Sequence, residues 1–226
     1  MNPKMLPRFE LESAPGPTAS VIMLHGLGAT GHDFAGLVPE LDLRGCRAIR
    51  FVFPHAPSIP VTVNAGYVMP AWYDIRGTNL AVQQDADGIQ ASALAITALV
   101  ENEIKRGIAA ENIVLAGFSQ GAAMALHTGL RLPYGLAGVI ALSGYLPLTE
   151  RFAAERSEAN AHTPIFIAHG MQDDVVIPQR GEATRDTLQA LGYPVFWHSY
   201  DTEHNVTQEE VNDIAEFLQG VLPEIR

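Results

Sequence analysis

Short apolar runs alternate along this chain with longer stretches whose apolar positions recur every three or four residues. Residues 20–24, 47–53, 112–118, 138–144 and 164–170 are runs of the first kind. They are too short for helices and show little polar alternation, the pattern of strands covered on both faces. Residues 195–200 read as the last strand. Residues 9–12 read as a short edge strand before the turn Pro15-Gly16-Pro17. Between these lie predicted helices. A short one covers 34–41. A long one covers 82–106, with Ile89, Ala93, Ile96, Leu99, Val100 and Ile104 at helical spacing and Gly107 as its stop. Others cover 120–132, stopped by Pro133, then 178–191 and 207–218. Thr207 opens the last one, with Glu210 three residues on as a capping box. Two stretches are expected to be irregular. Residues 54–77 hold Pro54, Pro57, Pro60 and Pro70 together with Tyr67, Trp72 and Tyr73. Residues 150–163 are polar enough for a surface excursion.

Strand and helix alternate from end to end, so the expected fold is α/β: a mostly parallel central sheet with helices on both faces. No internal repeat or linker divides residues 1–226, which are read as a single domain. In sheets of this kind the site lies beyond the carboxyl ends of the strands.

Composition narrows the function classes. The formal net charge is −11, from 14 basic and 25 acidic residues, which argues against nucleic acid or an anionic membrane surface as a partner. The single cysteine, Cys46, cannot form an internal disulfide and reads as a small core residue; no cysteine pattern for a metal is present. Residues 1–16 contain no apolar signal region, and no apolar run approaches the length of a membrane span. The expectation is a cytoplasmic protein without stable membrane association.

The chemistry centres on Gly117-Phe118-Ser119-Gln120-Gly121, a Gly-x-Ser-x-Gly sequence between a buried strand and a helix rich in small residues. A strand that turns at once into a helix lifts its middle side chain out of the fold, and the two glycines remove the Cβ atoms that would collide in the turn. With eight serines and 20 glycines in the chain, chance would supply only about 0.06 such matches, so the motif is specific. A serine hydroxyl needs a general base, and the base needs an orienting carboxylate. In hydrolases with this elbow they follow in the order serine, acid, histidine. His25 and His32 precede the serine and read as polar packing groups. His127 lies on the helix after the elbow, and His162 in the polar excursion. His204, in the loop after the last strand, is best placed to swing over Ser119, with His198 and His169 as the alternatives. The acid should leave the loop after 164–170, where spacing does not separate Asp173 from Asp174. Backbone N–H groups of Gln120, first on the elbow helix, and Leu27, in the glycine-rich loop 25–31, would face the oxyanion.

His25-Gly26-Leu27-Gly28, Pro54-x-Ala56-Pro57, Pro70-Ala71-Trp72-Tyr73-Asp74, the elbow, His169-Gly170-x-x-Asp173 and the late His204 occur in order over nearly the whole chain. In this the sequence resembles the phospholipase/carboxylesterase family, which includes bacterial carboxylesterases and acyl-protein thioesterases. The resemblance implies an α/β-hydrolase fold without a large cap, and a serine hydrolase of carboxylic esters or thioesters that needs no cofactor or metal. It maps the acid to Asp173, the oxyanion hole to Leu27 and Gln120, and Trp72 to the side of the acyl-binding cleft. The family often forms homodimers. Ala122 replaces a common second glycine, and Met171 stands where many relatives are acidic. A binding protein on a retired hydrolase fold is the competing class, but such proteins usually lose a catalytic residue, and here all three positions are filled.

Overall fold

The computed structural model describes residues 5–78, 80 and 82–224. Seven strands form one sheet in the order β1-β3-β2-β6-β7-β8-β9, comprising β1 (Arg8–Glu12), β2 (Ala19–Leu24), β3 (Ile49–Pro54), β6 (Ile113–Phe118), β7 (Gly138–Leu142), β8 (Ile165–Gly170) and β9 (Val195–Tyr200). Only the β1–β3 pairing is antiparallel; β3, β2, β6, β7, β8 and β9 run parallel. The continuous apolar runs follow from cover on both faces: β2, β7 and β8 are buried at every position. The edge strand β9 is only partly buried.

Side-chain alternation divides the core into two layers. Ile22, Leu24, Ile113, Leu115, Val139, Ala141, Ile165 and Ile167 face one side. There they meet α1 (Ala86–Lys105), α2 (Gln120–Gly129) and α4 (Pro178–Ala190). Val21, Met23, Val114, Ala116, Ile140, Leu142, Phe166 and Ala168 face the other, against α5 (Gln208–Val221) and the segment Gly31–Glu40.

Four sequence expectations are corrected. The helix expected over 34–41 is a 3₁₀ segment, Gly31–Glu40. The Thr30–Asp33 capping box starts it early, and Gly36 and Pro39 disfavour a regular α-helix. Residues 54–77 include a two-stranded antiparallel sheet, β4 (Ser58–Val61) with β5 (Tyr67–Pro70). Pro60 and Pro70 fit because each strand has only one neighbour. The excursion 150–163 holds α3 (Thr149–Glu155) and the 3₁₀ turn Glu158–Asn160. They are pinned by buried Phe152 and by Asn160, whose side chain bonds Leu136 N–H and the carbonyls of Leu132 and Tyr134. The long helix starts at Ala86 rather than 82, capped by the Asp85 carboxylate.

At the start of α5 the Thr207 hydroxyl accepts from Glu210 N–H at 3.1 Å, half of the expected capping box. The Glu210 carboxyl is buried, and its Oε1 lacks a partner among the described residues. Burial, reinforced by Asp213, raises its pKa from 4.5 to about 7. A raised carboxyl pKa favours the folded state below pH 4.5, and that contribution is lost as pH climbs through 7. Glu210→Gln should therefore stabilise the protein at pH 8 by about 2 kcal/mol, several degrees in Tm, with the difference vanishing near pH 4. Thermal melts of both proteins across this range would check it; a pH-independent offset would contradict it.

Candidate active site

Four loops meet beyond the carboxyl ends of parallel strands: those after β2, β6, β8 and β9. The loop after β6 is the tightest. Ser119 takes φ 55° and ψ −117°, a conformation rare for a residue with a side chain, and α2 begins at the next residue. Its N–H donates to Leu142 O at 2.8 Å, tying the corner to β7. A Cβ on Gly117 would overlap the backbone of Gly121, and one on Gly121 would overlap the carbonyls of Leu24 and His25. Both glycines of the motif are thus demanded by backbone contacts. Ala122, the departure noted above, has room because Gly144 opposite it has no side chain.

The loop after β8 carries Asp173, buried, and Asp174, exposed. Asp173 Oδ1 accepts from Val175 N–H (2.9 Å) and Val176 N–H (2.8 Å). Its Oδ2 lies 2.6 Å from His204 Nδ1, so that nitrogen is the donor and Nε2 is left for other chemistry. The structure thus joins His204 to Asp173 rather than to Asp174. Gly170 lets the two loops touch: a side chain there would overlap the carbonyls of Thr202 and Glu203.

Four other histidines are placed elsewhere. His169 Nε2 donates to Val176 O at 2.6 Å and lies 3.5 Å from Asp173 Oδ2, bracing the turn that presents the acid. Burial holds its pKa below the usual histidine value. Its Nδ1 has no partner among the described residues and packs where a side chain on Gly181 would sit. His25 is neutral for the same reason, burial, and its tautomer is set by its partners: Ala56 N–H donates to Nε2 (3.0 Å), so Nδ1 donates to Gly26 O (2.7 Å). His127 is buried in α2, and burial together with nearby Arg131 pushes its pKa down to about 3. His198 faces Asp213 of α5 at 3.1 Å.

Ser119 and His204 line one cleft of about 620 Å³, with Gly26, Leu27, Phe34, Phe118, Val175 and Val206 among its walls. Position 26 is held close to the serine: a Cβ on Gly26 would lie 3.4 Å from Ser119 Cβ. The Gln120 side chain is tied down at both of its polar atoms, with Oε1 accepting from Trp72 N–H and Nε2 donating to Tyr73 O, both at 2.8 Å. Trp72 sits differently from the expectation. It is 2 % exposed, donates Nε1–H to His25 O at 2.8 Å, and supports the glycine loop from beneath instead of lining the cleft. Phe34, Phe118, Val175 and Val206 went unnoticed in the sequence as cleft residues; only Phe118, inside the elbow, carried any signal. Among the described residues no group of three or more His, Cys, Asp or Glu is arranged to hold a metal ion.

Gly121→Ala should destabilise the protein by about 3 kcal/mol or more, since the clash is with fixed backbone. Gly36→Ala, whose Cβ would meet nothing within 4 Å, should leave Tm nearly unchanged. Equal Tm values for the two variants would remove the backbone argument.

Comparison with known proteins agrees with this architecture. The family described as Phospholipase/Carboxylesterase matches residues 10–222. Acyl-protein thioesterase 1 of Neurospora crassa is 44% identical over 217 residues, covering 92% of this chain and 89% of the relative. Acyl-protein thioesterase 1 of Gibberella zeae is 40% identical, covering 91% and 92%. Among solved structures, Arabidopsis thaliana SOBER1 superposes with a TM-score of 0.85 at 28% identity, covering 90% of this chain and 99% of that one. Zea mays acyl-protein thioesterase 2 gives 0.80 at 29% identity, covering 95% and 99%. With the elbow, the buried acid, the late histidine and these relatives in view, the chain belongs to the phospholipase/carboxylesterase family of α/β-hydrolases.

Proposed function

We propose that this protein is a carboxylesterase-type serine hydrolase that cleaves carboxylic esters and thioesters of short to medium acyl chains through an acyl-enzyme. The observation that carries this reading is the meeting of Ser119, on its strained corner, and His204, bonded to buried Asp173 at 2.6 Å, in one cleft. Ser119 Oγ attacks the carbonyl carbon. His204 Nε2 takes the hydroxyl proton and then delivers it to the leaving alcohol or thiol. Asp173 holds the ring in the required tautomer and offsets the charge of the imidazolium. Water, activated by the same histidine, releases the acid.

Charge on the tetrahedral oxygen is met by the backbone N–H groups of Leu27 and Gln120. Support for Gln120 comes from its place at the first turn of α2, where backbone donors are free, and from a side chain tied to Trp72 and Tyr73. Trp72 acts in this reading as a positioning residue beneath the loop. No step calls for a metal or cofactor.

A second reading makes protein or lysophospholipid deacylation the main activity. The relatives named acyl-protein thioesterase favour the thioester branch. The two are separated by kcat/KM for ester and thioester pairs of matched and increasing acyl length.

Ser119→Ala should reduce hydrolysis of a chromogenic short-chain ester to the background rate and abolish labelling by a fluorophosphonate probe. Asp173→Asn should lower kcat by several orders of magnitude, about 10⁴ in comparable triads, while Asp174→Asn should change it less than about threefold. Undiminished turnover in purified Ser119→Ala would reject the nucleophile. Reversal of the two aspartate effects would transfer the acid role by one residue.

A further inference from the structure

This inference rests on the assignment of Ser119 as nucleophile and His204 as the group that returns the proton. Under that assignment the leaving alcohol or thiol departs on the His204 side of the attacked carbon, because it must receive its proton there. That side of the cleft can be followed ring by ring. His204 lies 4.7 Å from Phe118, and Phe118 lies 5.5 Å from Phe34. Phe34 belongs to the Gly31–Glu40 segment, which adds Leu37, Asp33 and Glu40 to the cleft wall.

The cleft wall that continues from His204 is therefore apolar at Phe118 and Phe34 and acidic at Asp33 and Glu40 of the same segment. Thr30 donates to Asp33 Oδ2 from its hydroxyl (2.7 Å) and its N–H (2.8 Å), and these bonds hold the carboxyl below the usual carboxylate pKa. Glu40 is exposed. No lysine or arginine is among the described residues that line the cleft. The whole chain, at −11, carries the same sign. A cation arriving with the leaving group meets local negative charge with no cation in the wall to oppose it, whereas an anion is repelled.

We propose that Asp33 and Glu40 set the leaving-group preference of this enzyme, favouring esters and thioesters whose alcohol or thiol bears an ammonium group and disfavouring those whose alcohol or thiol bears a carboxylate. The preference concerns the leaving group, so it is read at a fixed acyl group.

The test uses three thioacetates with one acyl group and different leaving thiols: acetylthiocholine (cationic), S-ethyl thioacetate (neutral) and S-acetylthioglycolate (anionic). Released thiol is read with a chromogenic disulfide. At an ionic strength of about 20 mM, kcat/KM should fall in that order with a spread of roughly tenfold, and the spread should shrink severalfold at about 0.5 M. Glu40→Gln should narrow the cationic-to-anionic ratio by about two- to threefold. Glu111→Gln removes the same charge just before β6, at the amino end of the central strand and outside the cleft, and should leave the ratio unchanged. Equal kcat/KM for the three substrates, with the neutral one still turned over in a Ser119-dependent manner, would overturn the preference while sparing the hydrolase reading. An equal narrowing by Glu111→Gln would also overturn it, assigning the effect to net charge. Absence of Ser119-dependent turnover with all three would reject the nucleophile assignment, and the preference with it.

Discussion

The corner at Ser119 is the constraint on which the rest of the structure depends. A non-glycine residue at φ 55° and ψ −117° costs on the order of 1–3 kcal/mol and persists only where its surroundings leave no alternative. Here every residue of α2 is buried, so the helix cannot slide to relieve the turn without opening the core. Burial of Met124 and Leu126 alone opposes the strain with roughly 1.5–3 kcal/mol each. Gly121 lies against the carbonyls that end β2, and the Ser119 N–H binds the carbonyl that ends β7. Three neighbouring strands are thereby brought to a common level, and the cleft opens where they stop.

Loops that carry functional groups are usually the mobile part of a fold. In this protein they are braced by buried polar side chains that take no part in the proposed chemistry. His25 links its own loop to Ala56, Gln120 links the elbow to Trp72 and Tyr73, and His169 links the acid turn to Val176. Burial lowers the pKa of both His25 and His169, which keeps them neutral and their tautomers constant. Two of the three braces and the proposed base are thus all histidines, set apart by their burial and partners. The same frame explains why Trp72, an aromatic ring near the site, serves as support: its indole N–H is committed to His25 O.

One wall of the cleft is built by the Gly31–Glu40 segment, whose 3₁₀ geometry turns Phe34 and Leu37 inward and brings Asp33 and Glu40 to the same wall. Gly31 permits this, since a side chain there would overlap the Phe53 carbonyl at the end of β3. Family membership accounts for the reaction class. The make-up of this wall is the observation on which the proposed leaving-group preference rests.

Much of this was legible in the sequence because burial leaves a periodic trace. Runs such as Val21–Leu24 and Ile113–Ala116 carry the pattern of strands covered on both faces, and the elbow motif singles out Ser119 as the candidate nucleophile. The order serine, acid, histidine expected of hydrolases with this elbow, combined with which candidates stood just past strand ends, pointed to His204 and to Asp173 or Asp174. Other decisions had no local signature. Adjacent Asp173 and Asp174 differ only in which carboxylate turns inward to two backbone N–H groups and His204. The β4–β5 sheet was hidden by its prolines, and α3 by having a single buried anchor, Phe152. The walls of the cleft come from residues more than a hundred positions apart, such as Phe34 and Val175. Periodicity along a chain reports whether a residue is covered. Which distant residue covers it is decided only when the sheet order and the loop contacts are formed.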